Sequence, residues 1–255
     1  MQRLSVFDML KIGVGPSSSH TMGPWRAAQR FLLELSPVDL SAVSRVTVDL
    51  YGSLAKTGRG HGTDVAVQLG LCGEDPQTIV VATIDERIRD IAASKQIRLF
   101  GAHEVPFDPV SDIKFHDNEQ LLMHPNGMRF SAKLKDGTVR DAIFYSVGGG
   151  FIFGEHETQP ETDPHLPYPI DTASELVAHC KAETCRISEI VLRNELCWRS
   201  ESEIRESLNR IKDTMIDSIY RGCRAEGVLP GGLNVQRRAA KTASKLLGGT
   251  CPEGI

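Results

Sequence analysis

Residues 13–24 read GVGPSSSHTMGP. Five consecutive side chains there carry hydrogen-bonding groups: Ser17, Ser18, Ser19, His20 and Thr21. Glycine and proline shape the backbone on both sides. Hydroxyls and backbone N–H groups at a helix N-terminus converge on carboxylate or phosphate, because the donors point one way and the helix dipole favours negative charge. A capped helix with a polar lead-in uses the same residue types, and spacing alone leaves the two readings even. The string lacks the Gly-Lys-Ser/Thr ending of a phosphate-binding loop and the Gly-x-Ser-x-Gly of a nucleophile elbow.

A second segment, GRGHGTD (58–64), places His61 between two glycines that give it little steric cover. An exposed imidazole is a candidate general base, since histidine titrates near neutral pH; a plain surface histidine is the commoner use of such a residue. HPNGM (124–128) specifies a turn, from which Asn126 could aim its amide at a ligand. Gly148, Gly149 and Gly150 mark either a bulge or backbone approached closely by a bound molecule. Cys180 and Cys185 are five positions apart, which on a helix puts them on different faces. There is no Cys-x-x-Cys pair, so zinc is poorly supported and buried structural thiols are the default reading.

The elements that must carry these residues follow from period and punctuation. Met1–Gly15 reads as an extended or turn-rich entry. Trp25, Ala28, Phe31, Leu32 and Leu35 recur at three and four, predicting a helix over 22–35, with Thr21 or Ser19 as cap and Pro24 in its first turn. So the serine string meets a helix N-terminus. Val43–Leu50 alternates as a strand. Gly52–Asp64 reads as a glycine-rich loop, and Thr63 or Asp64 caps the apolar run Val65–Leu71. A helix is predicted over 85–96 and a short strand over 111–116. Met128, Phe130, Ala132 and Leu134 line one face of a strand. Asp136-Gly137 turns it into a partner strand, 138–147, with Val139, Ile143, Tyr145 and Val147 in register. Residues 154–170 read as a linker. Helices follow: Thr172-x-x-Glu175 and Ser200-x-x-Glu203 are capping boxes, 202–224 has the strongest helical period, and 236–247 is a last helix. The fold class is α+β: a small α/β domain (1–154) with a mixed or antiparallel sheet, a linker (155–170), and an incomplete all-helical domain (171–255).

Composition sets the outer limits. Of 255 residues, 40% are hydrophobic and 24% charged, so the chain can bury a core. Net charge is -4, which argues against nucleic acid as a partner; Arg237, Arg238, Lys241 and Lys245 read as a solvated helix face. No run approaches the ~20 apolar residues of a membrane span. No secretory leader is visible, so the cytoplasm and reduced thiols are expected.

Taken together and in order, SVFDMLKIGVGPSSSHTMGP, YGSLAKTGRGHGTDVAVQLGL, HPNGM, SVGGGF, SELVAHCK and LPGGLNVQRRA resemble the bacterial iron–sulfur-dependent L-serine dehydratases of the single-chain type. The resemblance runs from about Ser5 to about Ala240. It implies conversion of L-serine to pyruvate and ammonia, assisted by a [4Fe-4S] cluster and without pyridoxal phosphate. It implies that Ser17, Ser18, Ser19, His20 and Thr21 grip the substrate's carboxylate or ammonium group. His61 is then the base or its hydrogen-bond partner, with Thr63 and Asp64 beside it, and Asn126 and the Gly148, Gly149 and Gly150 backbone complete the wall. Serine is favoured over threonine only by the resemblance, since one methyl is worth ~1–3 kcal/mol of discrimination.

The family's cluster cysteines lie beyond the stretch matching LPGGLNVQRRA. The chain is therefore expected to be C-terminally truncated, and none of Cys180, Cys185, Cys197, Cys223 and Cys251 is assigned as a metal ligand. The alternatives are one subunit of a split dehydratase or a stand-alone amino-acid-binding or regulatory module. The partners implied are L-serine and either a second copy of the chain or a complementing helical-domain chain.

Overall fold

The computed structural model describes residues 4–157, 165–229 and 234–249. The chain divides into two compact units. One comprises Ile12–Glu157 with Gly227–Gln236; the other comprises Met1–Lys11, Thr158–Glu226 and Arg237–Ile255.

The entry is not extended throughout. Ser5 caps a short helix, α1 (Val6–Met9), through a capping box with Asp8. In the α/β unit, α2 (Met22–Glu34) and α3 (Pro37–Ala42) lead into β1 (Val43–Tyr51). Then come α4 (Gly52–His61), α5 (Thr63–Leu71), a 3-10 turn at Val81–Thr83, and α6 (Ile84–Ser94). A separate antiparallel pair, β2 (Gln96–Leu99) and β3 (His103–Pro106), precedes α7 (Pro109–Asp112) and β4 (Ile113–His116). β5 (Gly127–Leu134), β6 (Val139–Gly148) and β7 (Phe151–Gly154) complete a mixed five-stranded sheet in the order β4-β1-β5-β6-β7. Only β1 and β4 run parallel, because only that pair is joined by a long helical crossover.

The core forms where α2 and α5 lie on one sheet face. Ala27, Ala28, Phe31 and Leu32 of α2 meet Val46, Val48, Leu50, Phe130 and Phe144, all nearly solvent-free. Phe31 stacks on Phe130 with ring centroids 5.5 Å apart. On β5, Met128, Phe130, Ala132 and Leu134 are buried as their alternation predicts. On β6 the expected face is borne out at Tyr145, which is buried, but not at Val139 and Val147. Pairing Met128 with Phe144 and Phe130 with Ala142 fixes a register in which the even-numbered residues face the core. Val139 and Val147 are left exposed, since a period of two sends a strand's other set outward.

The largest correction concerns residues 52–61. They form helix α4 rather than a glycine-rich loop. Leu54 and Ala55 are buried, and Gly58 lets the helix close onto Thr63 and Phe115. Packing overrides the low helical propensity of three glycines. Gly52 starts the helix at φ +55°, where a Cβ would strike the Pro125 carbonyl.

In the helical unit, α8 (Ala173–Ala182), α9 (Ile187–Glu195), α10 (Glu201–Arg224) and α11 (Ala239–Leu247) follow. Both predicted capping boxes, Thr172 with Glu175 and Ser200 with Glu203, are reciprocal. α11 starts later than the sequence suggests, because Gln236 pairs with Val228 as an isolated bridge. The helical spacing assumed for Cys180 and Cys185 fails for a simple reason: α8 has ended before Cys185. α1 is latched to this unit by Glu195. Its buried carboxylate accepts from Ser5 Oγ at 2.9 Å and from the Val6 N–H at 2.6 Å. No helix among the described residues is long and apolar enough to cross a membrane.

Candidate active site

The serine string is a tight turn docked on the start of α2. The Ser17 carbonyl accepts from the N–H groups of His20 and Thr21, at 3.0 and 2.9 Å, and the Ser18 carbonyl from the Gly23 N–H at 2.9 Å. Thr21 occupies the N-cap position, yet its hydroxyl donates back to the Ser17 carbonyl at 2.7 Å instead of capping the helix. The turn therefore holds itself together. Ser17 Oγ and Ser19 Oγ lie 3.3 Å apart, and Ser19 Oγ lies 2.9 Å from His20 Nδ1. Ser18 is exposed at its tip.

His20 is the hub. Its Nε2 reaches Ser53 Oγ on α4 at 3.2 Å, and its backbone carbonyl accepts from Thr63 Oγ1 at 2.6 Å. Thr63 is thus not a helix cap: Gly62, at φ +76°, takes that position, and the Thr63 hydroxyl ties α5 to the turn instead. Burial, and behind it the charge of His61, hold the His20 imidazole below its ordinary pKa, with Ser53 partly opposing them. The His20 ring thus bridges two hydroxyls, Ser19 Oγ and Ser53 Oγ.

His61 ends α4 with its ring centroid 4.7 Å from that of His20. Its Nδ1 lies 2.8 Å from the Thr57 carbonyl oxygen. A carbonyl only accepts, so Nδ1 carries the proton and, in the neutral ring, Nε2 presents a lone pair. Ser53, Thr57 and His61 fall at i, i+4 and i+8 on one helical stripe. Reading the segment as a loop hides Ser53 and Thr57, although that four-residue spacing is the signal that finds them.

The remaining predicted residues collect at neighbouring points. Asn126 clamps Ser146 in both directions: its Nδ2 donates to the Ser146 carbonyl and its own carbonyl accepts from the Ser146 N–H, both at 3.0 Å. Ser146 is buried, its hydroxyl finds no partner, and it packs against Gly23 at the start of α2. The Ser53 N–H bonds to the Pro125 carbonyl at 2.9 Å, joining the 124–127 turn to α4. Gly148, Gly149 and Gly150 all adopt positive φ. They turn β6 into β7, and the Gly150 carbonyl accepts from Arg26 Nη1 at 3.1 Å. Gly150 lies against Met22, where a Cβ would overlap the side chain. Asp64 sits in the first turn of α5, where its carbonyl accepts from Gln68 Nε2 at 3.1 Å. The geometry gathers Ser17, Ser19, His20, Thr21, His61 and Thr63 into one network, braced by Asn126 and Gly150.

Residues 5–157 match the family model described as serine dehydratase beta chain, which is more than half of the chain. The chain belongs to that family. It is 44% identical over 258 residues to an L-serine dehydratase of Streptomyces coelicolor, covering 99% of this chain and 57% of that relative. It is 42% identical over 241 residues to L-serine dehydratase 1 of Escherichia coli, covering 93% and 53%. Against an L-serine dehydratase of Mycobacterium tuberculosis it is 44% identical over 241 residues, covering 92% and 52%. The chain spans about half the length of the curated relatives it matches.

The described residues do not fit an iron–sulfur cluster. Among them no three His, Cys, Asp or Glu side chains converge as a metal site requires. Burial, then Glu74, pushes the Cys72 thiol up to about 11, which disfavours the thiolate a metal needs. Cys251 lies outside the described residues.

Proposed function

We propose that this chain supplies the substrate-facing part of an L-serine dehydratase, in which the elements of water are removed from L-serine and the released aminoacrylate tautomerises and hydrolyses to pyruvate and ammonia. The observation that carries the proposal is the 2.8 Å contact between His61 Nδ1 and the Thr57 carbonyl oxygen. With Nδ1–H held by Thr57, Nε2 is the atom that accepts the Cα proton. Burial, and then His61, lower the His20 pKa, which disfavours a second cation beside the proton that His61 takes. The hydroxyls of Ser17, Ser18 and Ser19, at the positive end of α2, receive the substrate carboxylate, and the Thr21 hydroxyl holds their turn in shape through the Ser17 carbonyl. Asn126 and the Gly148, Gly149 and Gly150 backbone hold the surrounding turns in place. The ligands of the [4Fe-4S] cluster that the resemblance implies are assigned outside this chain, and the part given to its own residues is binding and proton abstraction.

A split enzyme is the second reading, in which the helix that covers α10 is supplied in trans. Leu208, Met215 and Ile219 recur along it at 41%, 58% and 60% exposure, an apolar stripe of the kind that packs against another helix. The test is pyruvate formation from L-serine under anaerobic conditions, by the chain alone and with the rest of its relatives' length supplied in cis or in trans. Pyruvate from the completed protein supports the proposal. L-serine binding by calorimetry without pyruvate from any combination would instead identify an amino-acid-binding module.

A further inference from the structure

Cys180 and Cys185 belong to none of the chemistry above, yet the backbone brings them together. Past the end of α8, Thr184 adopts φ +51°. The Cys185 N–H then bonds back to the Cys180 carbonyl at 3.0 Å, and the Thr184 N–H to the Lys181 carbonyl at 3.3 Å. These two bonds define a helix ending in which the residue after the left-handed position packs against the residue five before it. The 3.0 Å N···O contact, extended by the covalent distances to each Cα, limits the Cα separation to about 7 Å. Any bend in that path brings it within the roughly 4.4–6.8 Å that a disulfide spans.

Both thiols are partly exposed. They line one open groove of about 580 Å³ together with Lys181 and Arg186. Burial chiefly, with Cys180, Glu189 and Glu183 adding to it, raises the Cys185 pKa, and Arg193 opposes that rise. Cys72, Cys197 and Cys223 do not line this groove; burial pushes the Cys72 thiol up to about 11, and the Cys197 thiol points at the His165 carbonyl at 3.6 Å.

We propose that Cys180 and Cys185 are a dithiol that closes to an intramolecular disulfide by exchange with a small carboxylate-bearing disulfide, which Lys181 and Arg186 attract to the groove. One thiolate attacks a sulfur of the small disulfide, whose S–S bond breaks and releases one thiol. The second thiolate attacks the mixed disulfide and releases the other. The pair loses two electrons and two protons, and the small disulfide is reduced to two thiols. The crosslink pins the turn between α8 and α9.

The experiment uses the intact, reduced chain incubated with oxidised glutathione, then alkylated and digested with trypsin. Cleavage after Lys181 and Arg186 puts the two cysteines in different peptides. The expected result is a disulfide-linked pair of those peptides, the loss of two alkylatable thiols per chain, and reversal by reduced glutathione. Cys185→Ser should trap glutathione on Cys180 instead. Overturning results are separate glutathione adducts on Cys180 and Cys185 in the unsubstituted chain, full alkylation of both after excess disulfide, or linkage of either to Cys197.

Discussion

Gly23→Ala tests whether the start of α2 is set by its contact with β6. On helix propensity alone, alanine should stabilise this position by up to ~1 kcal/mol. The structure reverses the sign. A Cβ at position 23 would land on Ser146 Oγ and 2.7 Å from Ser146 Cβ, well inside the roughly 3.5–4.0 Å of a normal carbon contact. Rotating the serine relieves the first overlap but not the second. Its backbone cannot yield, because Asn126 holds both the Ser146 N–H and its carbonyl. Overpacking of this kind costs about 1–3 kcal/mol, so with the propensity gain set against it the net loss reaches about 2 kcal/mol. With a urea slope of about 2 kcal/mol per molar, the unfolding midpoint falls by up to about 1 M. Trp25 is buried two residues further on, and its fluorescence in a Trp198→Phe background reports this unit. Gly23→Ala combined with Ser146→Gly should recover most of the loss, a coupling that a double-mutant cycle measures. A Gly23→Ala midpoint at or above that of the unsubstituted chain, or strictly additive losses in the double variant, would refute the reasoning.

Two further perturbations probe other joints. Ser5→Ala removes a donor from the buried Glu195 carboxylate, which also receives the Val6 N–H and Arg199. It should cost about 1–3 kcal/mol in urea unfolding of the helical unit followed by Trp198. His116 lies 2.7 Å from Asp49 and 3.1 Å from Glu119. The Asp49 hydrogen bond raises its pKa most, burial opposes, and Glu119 adds to the rise. A folded pKa above the unfolded one gives stability that is full below about pH 6.5 and lost as pH rises through the folded value. His116→Gln should therefore cost more at pH 5.5 than at pH 8.5, by about 1 kcal/mol after discounting for solvent screening. Equal losses at the two pH values would remove the ion pairs from the account.

Regular elements with an amphipathic period were legible in the sequence. α2, β1, β5, α10 and the two reciprocal capping boxes lie where spacing puts them, because burial of one face decided both sequence and structure. α4 was illegible because its glycines serve close packing against Pro125, Thr63 and Phe115, and propensity carries no record of such partners. The β6 face misled because Val139 and Val147 look like core residues, whereas pairing with β5 sets the register. β2, β3 and β7 are four residues each, too short for a period to be visible. At the site, the serine string and His61 stood out by type. The hub position of His20, and its link to Ser53, needed the fold, because the two residues are 33 positions apart.

The most direct test of the central claim is the rate of pyruvate formation from L-serine by the completed protein carrying His61→Ala, beside the same protein without the substitution, with circular dichroism confirming that both are folded. The account predicts a fall in kcat of about 10²–10⁴, the contribution of a positioned general base. A His61→Ala protein that keeps kcat within a factor of about two would contradict it, since loss of a positioned base cannot leave so little trace, and the Cα proton would then leave by another group.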